Sequence, residues 1–461
     1  MIGTRTPRTA IAAACVALVL SGMSARAADT SLIDGGRFGQ VRYYQPTAPR
    51  TVTGLVALVS DREGWNDSDA ALATHLADEG QAVVGIDLPT FEQALAREPG
   101  DCGWVNGDFE SVTRRVEKDL PFHEFRPPAL VGIGAGASIA YAAVGQVLPN
   151  TFAGAVGIDF SPRLDAAPKL CLPVDANVSG QPARYAPLGE RATPFVFEPS
   201  RDFASSRGQV TAFLAGSRQV HRIDVKGNQA ALVDAGLRML PRLFPSAIPV
   251  TGLPIVELSA DDGADSDHPI VIFYSGDGGW RDIDKQIGGY LAEQGYFVVG
   301  FDSLRYFWRE KEPEKMAADL DSVVRHYEDR SNGHGVILAG YSFGADVLPF
   351  IVNRMAPDTR KQIKLMSLIG LSEHASFEIR LQGILGADNE DGPPTVPELA
   401  RIKDIPIQCV YGFDENDTAC TDKALSQMVE RVEMSGGHHL NGDYHDVANA
   451  IVTAAKGKVG E

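Results

Sequence analysis

The sequence predicts an α/β fold with two tandem domains, each built on a mostly parallel, doubly wound sheet. Short apolar segments alternate with segments of helical spacing, which is typical of parallel strands covered by helices on both faces. The chain also contains an internal repeat. Trp65 and Trp280 stand 215 positions apart, and residues 60–65, 80 and 82–87 match residues 275–280, 295 and 297–302 at that same offset. A shared order at constant spacing is the signature of a duplicated unit.

The elements of the second half follow from the same pattern. Apolar segments predict strands at 269–274, 296–301, 336–339, 365–369 and 407–411, and helical spacing predicts helices at 283–294, 317–327 and 345–354. Further matches, of 108–112 with 319–323 and of 130–137 with 338–345, predict an equivalent arrangement in the first half.

The chain divides into four predicted segments. Residues 1–27 are expected to be a signal peptide, because a charged start is followed by the apolar run 11–20 and by a small-x-small cleavage site at 25–27. Residues 28–245 and 268–461 would be the two domains. The Pro-containing, acidic segment 246–267 would be the linker. The mature protein is therefore expected in the periplasm.

Charge and cysteine usage narrow the function classes. The formal net charge of −18 argues against nucleic-acid binding, which needs a basic face. Cys102 and Cys171 lie in the first half, and Cys409 and Cys420 in the second. Because an oxidising compartment permits disulfides, we expect pairing within each half. No Cys-x-x-Cys spacing occurs, and we expect neither a metal nor a cofactor.

The pentapeptide Gly340-Tyr341-Ser342-Phe343-Gly344 holds the predicted nucleophile. A Gly-x-Ser-x-Gly motif is common, but here an apolar strand precedes it and a helix follows. That context exposes the serine hydroxyl on a sharp turn. Ser342 is therefore predicted to attack an acyl carbon.

A serine hydroxyl needs a base and an acid, which in this fold follow the nucleophile along the chain. Residues 436–439 read Gly-Gly-His-His, so His438 is the predicted base and His439 the alternative. The loop after the strand at 407–411 offers three acids. Asp417 is preferred, with Asp414 and Glu415 left open.

Two backbone regions are predicted to stabilise the oxyanion. Phe343 follows the nucleophile and should supply one N–H. The Gly-rich loop containing Gly276, Asp277 and Gly278 should supply the second and contact substrate, since glycines let the backbone approach a carbonyl closely. The carboxylate of Asp277 could face a cationic substrate.

The first half lacks these groups. Gly134 stands where the second half has Ser342, and Asp61 and Glu63 replace loop glycines. No paired histidines occur at the corresponding end of the first half. We therefore predict two tandem α/β-hydrolase-like domains, of which the first is degenerate and forms a scaffold without its own activity.

These motifs, together with residues 411–420 and 436–444, resemble the bacterial VirJ/AcvB family of virulence proteins. The resemblance implies a periplasmic hydrolase acting on aminoacylated phosphatidylglycerol, chiefly lysyl-phosphatidylglycerol. Ser342 would form the acyl-enzyme, releasing phosphatidylglycerol and then lysine. The partner so implied is an aminoacylated phospholipid at a membrane surface. Two alternatives stay open: another periplasmic esterase or thioesterase, and a non-enzymatic partner of a secretion apparatus.

Overall fold

A computed structural model describes most of the chain. The described residues are 29–46, 51–98, 100, 102–122, 125–147, 151–163, 169–172, 184–189, 193–243, 253–259, 268–380 and 392–459. The predicted signal peptide, and the predicted linker apart from residues 253–259, lie outside them.

An eight-stranded sheet organises the first half, in the order β1-β2-β4-β3-β6-β7-β9-β10. Its strands are β1 Asp29–Asp34, β2 Gln40–Gln45, β3 Gly54–Val59, β4 Gln81–Ile86, β6 Ala129–Ile133, β7 Gly154–Phe160, β9 Phe195–Pro199 and β10 Val220–Arg222. The strand β2 pairs antiparallel with both β1 and β4, and the remaining pairings of this sheet are parallel. A separate two-stranded sheet joins β5 Cys102–Gly103 to β8 Lys169–Leu170.

A seven-stranded sheet organises the second half, in the order β11-β13-β12-β14-β15-β16-β17. Its strands are β11 Ile255–Leu258, β12 Ile270–Tyr274, β13 Val298–Phe301, β14 Val336–Tyr341, β15 Ile363–Ile369, β16 Ile407–Gly412 and β17 Val429–Met434. Only the pairing of β11 is antiparallel. Because β11 lies within 246–267, this part of the predicted linker is instead an edge strand of the second sheet.

Helices alternate with these strands. In the first half they are α1 Asp67–Asp78, α2 Leu88–Leu95, α3 Asn106–Asp119, α4 Ala135–Gly145, α5 Arg201–Ser205, α6 Arg207–Ala215 and α7 Gln229–Leu243. In the second half they are α8 Asp282–Glu293, α9 Ser303–Tyr306, α10 Pro313–Tyr327, α11 Phe343–Val352, α12 Pro357–Arg360, α13 Thr395–Leu399 and α14 Tyr444–Val459. Among the described helices, none is long and apolar enough to cross a bilayer.

Each sheet is buried on both faces, as the apolar strands predict. Along β12, Ile270, Ile272 and Tyr274 pack into one apolar cluster, whereas Val271 and Phe273 pack into the cluster on the opposite face. The alternation follows from the two-residue period of a strand. It confirms the α/β fold class, and the shared strand order confirms the duplication.

Two disulfides form, Cys102–Cys171 and Cys409–Cys420. Both pairings are within a half, as predicted. The second joins β16 to the end of the loop that carries the candidate acids, so it limits how far that loop can move away from the sheet.

Candidate active site

Ser342 lies on a strained turn between β14 and α11. Its φ of 52° and ψ of −121° are unfavourable for a residue with a side chain. The flanking glycines allow the turn because a side chain has no room at either position. A Cβ on Gly340 would lie 2.6 Å from the carbonyl carbon of Gly344, and one on Gly344 would lie 2.3 Å from the carbonyl oxygen of Tyr274. The geometry is that of the predicted nucleophile elbow.

His438 is the histidine that reaches this serine. Its Nε2 lies 2.8 Å from the Oγ of Ser342. His439 points elsewhere, with its Nδ1 3.2 Å from the hydroxyl of Tyr341. The structure therefore brings the preferred candidate base to the predicted nucleophile and places the alternative candidate beside it.

Glu415, not Asp417, lies against the histidine. The Nδ1 of His438 is 2.5 Å from Oε1 of Glu415, whose side chain is only 4% exposed. The preference for Asp417 is thus corrected: its side chain is exposed, as is that of Asp414. The reason is a tight turn in which the N–H of Glu415 donates to the carbonyl of Gly412. This turn folds Glu415 back over the strand end, where its Oε2 also accepts the N–H of Gly412.

The surroundings of His438 favour its charged form. Burial lowers its pKa, but the hydrogen bond to Glu415 and the charges of Glu415, Asp346 and Asp417 outweigh burial, so the pKa is raised above its ordinary value. Asp346 is a second buried carboxyl, in the first turn of α11, and its Oδ1 accepts the N–H of Ser372 at 2.8 Å. Burial raises the pKa of Asp346 to about 7.

The oxyanion donors differ in part from those predicted. Phe343 is the first residue of α11, so its N–H has no partner within the helix. The N–H of Gly276, however, donates to Oδ1 of Asp284 at 3.0 Å and is not available. Among the described residues, the N–H groups of Asp277 and Gly278 make no such bond. Gly276 instead brings the loop close, since a Cβ there would lie 3.8 Å from that of Ser342.

A cleft of about 360 Å³ opens beside the nucleophile turn. Its acidic lining comes from Asp277 and Asp284, and Arg281 is the guanidinium that faces it. The other lining residues are Gly276, Gly278, Gly279, Ile283, Tyr341, His439 and Tyr444.

Sequence reasoning missed Asp284 and Asp346. A signal existed for the first, because Asp69 occupies the equivalent position 215 residues earlier and is also buried. Within the described residues, no cluster of three or more His, Cys, Asp or Glu side chains could hold a metal ion.

The second half of the chain is similar to a known family. Residues 268–459 match the model of a family described as bacterial virulence protein (VirJ), which confirms the resemblance for this part of the chain. The chain matches none of the curated proteins with which it was compared.

Solved structures resemble a domain-sized part of the chain. Est1E from Butyrivibrio proteoclasticus is 14% identical, with 46% of this chain and 98% of that one covered and a TM-score of 0.34. MenH from S. aureus is 14% identical over 44% and 98%, with a TM-score of 0.33. An esterase domain from a Rhodothermus marinus protein is 16% identical over 44% and 92%, with a TM-score of 0.32. Similarity at this level assigns no activity to this chain.

Proposed function

We propose that the second half is a serine hydrolase that cleaves esters through an acyl-enzyme on Ser342. The observation that carries the proposal is the line of hydrogen bonds from Ser342 to His438 and on to Glu415, at 2.8 and 2.5 Å. A hydroxyl, an imidazole and a buried carboxylate in this order form the arrangement that activates a serine.

The chemistry follows from these contacts. Oγ of Ser342 attacks the ester carbonyl while Nε2 of His438 takes its proton. The carboxylate of Glu415 holds the imidazole in the required tautomer and stabilises the imidazolium. The N–H groups of Phe343 and Asp277 are the donors that we propose for the developing oxyanion. His438 then gives the proton to the leaving alkoxide, and a water activated by the same imidazole hydrolyses the acyl-enzyme.

The substrate we propose is the aminoacyl ester of phosphatidylglycerol, chiefly lysyl-phosphatidylglycerol. Support comes from the VirJ match over residues 268–459 and from the cleft, where Asp277 offers a carboxylate to a cationic aminoacyl group. Release would yield lysine and phosphatidylglycerol. The proposed setting is the periplasmic face of a membrane after export, with no role for nucleic acid.

The test uses purified protein and vesicles that contain lysyl-phosphatidylglycerol. Wild-type protein should release lysine, and Ser342→Ala should lower the rate by at least about 10⁴-fold, since the nucleophile is removed. Ser322→Ala is the matched control, because Ser322 lies on α10 and bonds only its own helix turn among the described contacts. A Ser342→Ala protein as active as wild type would contradict the proposal.

A panel of esters then separates the alternatives. Faster cleavage of neutral acyl esters or thioesters than of lysyl- and alanyl-phosphatidylglycerol would favour a different esterase. No turnover of any ester, with a secretion phenotype that survives Ser342→Ala, would favour a non-enzymatic partner.

A further inference from the structure

The two halves meet at the loop that faces the nucleophile. Glu110 lies on α3 of the first half, and its Oε2 accepts hydrogen bonds from Arg114 and from Arg281 of the second half, both at 2.8 Å. The Arg114 side chain is 5% exposed and that of Glu110 is 12% exposed. One largely buried carboxylate is therefore shared by two guanidinium groups, one from each half.

Arg281 connects this contact to the site. It directly follows the loop 275–280, and its N–H donates to the carbonyl of Gly279. Its guanidinium lies over the loop, because a Cβ on Gly278 would be 3.2 Å from Nε of Arg281. Arg281 also lines the cleft beside the nucleophile turn. The side chain that reaches Glu110 is thus packed on the segment that carries the N–H of Asp277.

Comparison with the internal repeat shows that the Arg281 side chain does not cap the helix that follows it. Asn66 occupies the equivalent position in the first half, where it caps α1 through the N–H groups of Ser68 and Asp69. Arg281 stands at the same position before α8 and makes no such cap. Asparagine is among the best residues for capping and arginine is not, so the second half gives up a favourable local contact.

Glu110 departs from its counterpart in the same way. The matching residue of the second half is Asp321, which bonds the N–H of Ala356 and the hydroxyl of Thr359 within its own domain. Glu110 instead contacts the other half. Arg281 and Glu110 therefore contact each other across the two halves, whereas their repeat equivalents, Asn66 and Asp321, bond within their own half.

We propose that Glu110, held by Arg114, positions the loop 275–280 of the second half through Arg281. The first half thereby completes the site without contributing a catalytic residue. The inference rests on the proposed function. It assigns the first half a role in turnover: it holds the N–H of Asp277 at the distance that the oxyanion requires. A misplacement of about 1 Å in such a group can lower a rate about a hundredfold.

The experiment measures turnover of lysyl-phosphatidylglycerol vesicles and the rate at which a fluorophosphonate labels Ser342, in the full-length protein. Glu110→Gln should lower kcat by about tenfold or more with a smaller change in KM, and should slow labelling similarly. Arg281→Met should do the same. The double variant should lose little beyond either single one, because both changes remove one contact.

Lys118→Met is the matched control. Lys118 lies on the same helix and bonds Glu378 of the second half at 3.0 Å, away from the loop 275–280. Its kcat should stay within about twofold of wild type, with thermal unfolding measured for every variant. An equal loss in Lys118→Met, or Glu110→Gln at wild-type kcat and labelling rate, would overturn the inference. If Glu110→Gln does not fold, the kcat and labelling rate of Arg281→Met test the inference, because the Arg281 side chain is partly exposed.

The two proposals fail in different ways. If Ser342 of the wild-type protein is not labelled and no ester is cleaved, the proposed hydrolase fails. If labelling depends on Ser342 but is indifferent to Glu110 and Arg281, only the positioning role fails.

Discussion

The two nucleophile turns of this molecule have the same backbone and different contents. Gly134 has φ 55° and ψ −117°, and Ser342 has φ 52° and ψ −121°. In the first half the carboxylate of Asp61 fills the space in front of the turn, where its Oδ1 accepts the N–H of Ala135 at 2.8 Å. Ala135 is the equivalent of Phe343, so the carboxylate occupies the place that the second half leaves for an oxyanion.

The difference depends on one pair of equivalent positions. Asp61 corresponds to Gly276, 215 residues later. A Cβ on Gly134 would lie 2.2 Å from Cγ of Asp61, whereas one on Gly276 would remain 3.8 Å from that of Ser342. The first half is therefore closed twice, by the loss of the hydroxyl and by a side chain in the oxyanion position. On the proposed function, the second half therefore depends both on Ser342 and on a residue at 276 that leaves this space open.

The largest effect should come from Glu415, the acid that lies against His438 in the second half. Glu415→Gln should lower kcat by about 10⁴-fold, because an amide cannot hold the imidazole in the required tautomer. Asp417→Asn is the control and should stay within about tenfold, since its carboxylate is exposed. Steady-state hydrolysis of one ester by both variants is the measurement. The reverse order of losses would return the acid role to Asp417.

Converting the second loop to the first should also inactivate the site. Gly276→Asp would place a carboxylate where Asp61 bonds Ala135, so that it competes for the N–H of Phe343. The expected loss in kcat is about 10²- to 10³-fold, the usual cost of one oxyanion donor. Gly276→Ala adds a Cβ without the charge and should lose far less. Comparable losses in the two variants would show that added bulk at position 276, and not a carboxylate that competes for the N–H of Phe343, lowers kcat.

The opposite conversion should cost stability. Gly134→Ser puts a side chain against Asp61 and at a positive φ, so the free energy of unfolding should fall by roughly 1–3 kcal/mol. Chemical denaturation measures the change. The double variant Gly134→Ser/Asp61→Gly should regain part of the lost free energy of unfolding. In a Ser342→Ala background neither variant should be labelled by a fluorophosphonate, because none of the described contacts of Gly134 involves a histidine. Labelling there would mean that the first half retains a base.

The smallest effect concerns pH. His438 accepts a proton only when neutral, and the negative charges around it raise its pKa. Turnover should therefore fall on the acid side at a pH above the ordinary value of about 6.5. Asp417→Asn removes one of these charges, lowers the pKa of His438, and should shift the acid limb of kcat/KM to lower pH by less than about one unit. A limb that stays fixed or moves upward would exclude this electrostatic coupling.

The sequence was sufficient for the fold, the two disulfides and the position of Ser342. Those features depend on patterns that the sequence displays directly: apolar strands, an offset that holds over matched segments, and cysteines of which two fall in each half. Placing His438 on Ser342 was also possible, because the family of folds returns a histidine to that edge after the last strand. The catalytic use of these residues stays a prediction.

The identity of the acid and of the second oxyanion donor could not be predicted from the sequence. Three acids share one short loop, and the choice depends on a turn that folds Glu415 back onto Gly412. The N–H of Gly276 donates a hydrogen bond to Asp284, whose side chain reaches it from the following helix. Both outcomes depend on side-chain reach across a few ångströms, which spacing along the chain does not determine.

The paired turns also show what activity costs a protein of this kind. Glycine adopts a positive φ readily, whereas serine at the same angles is strained. The first half has the relaxed residue at its turn, and the second half has the strained one in front of an open loop. On the proposed function, duplication has separated the two sides of a stability–activity trade-off within one chain: one copy serves as a support, and the other keeps a locally unfavourable turn at its nucleophile.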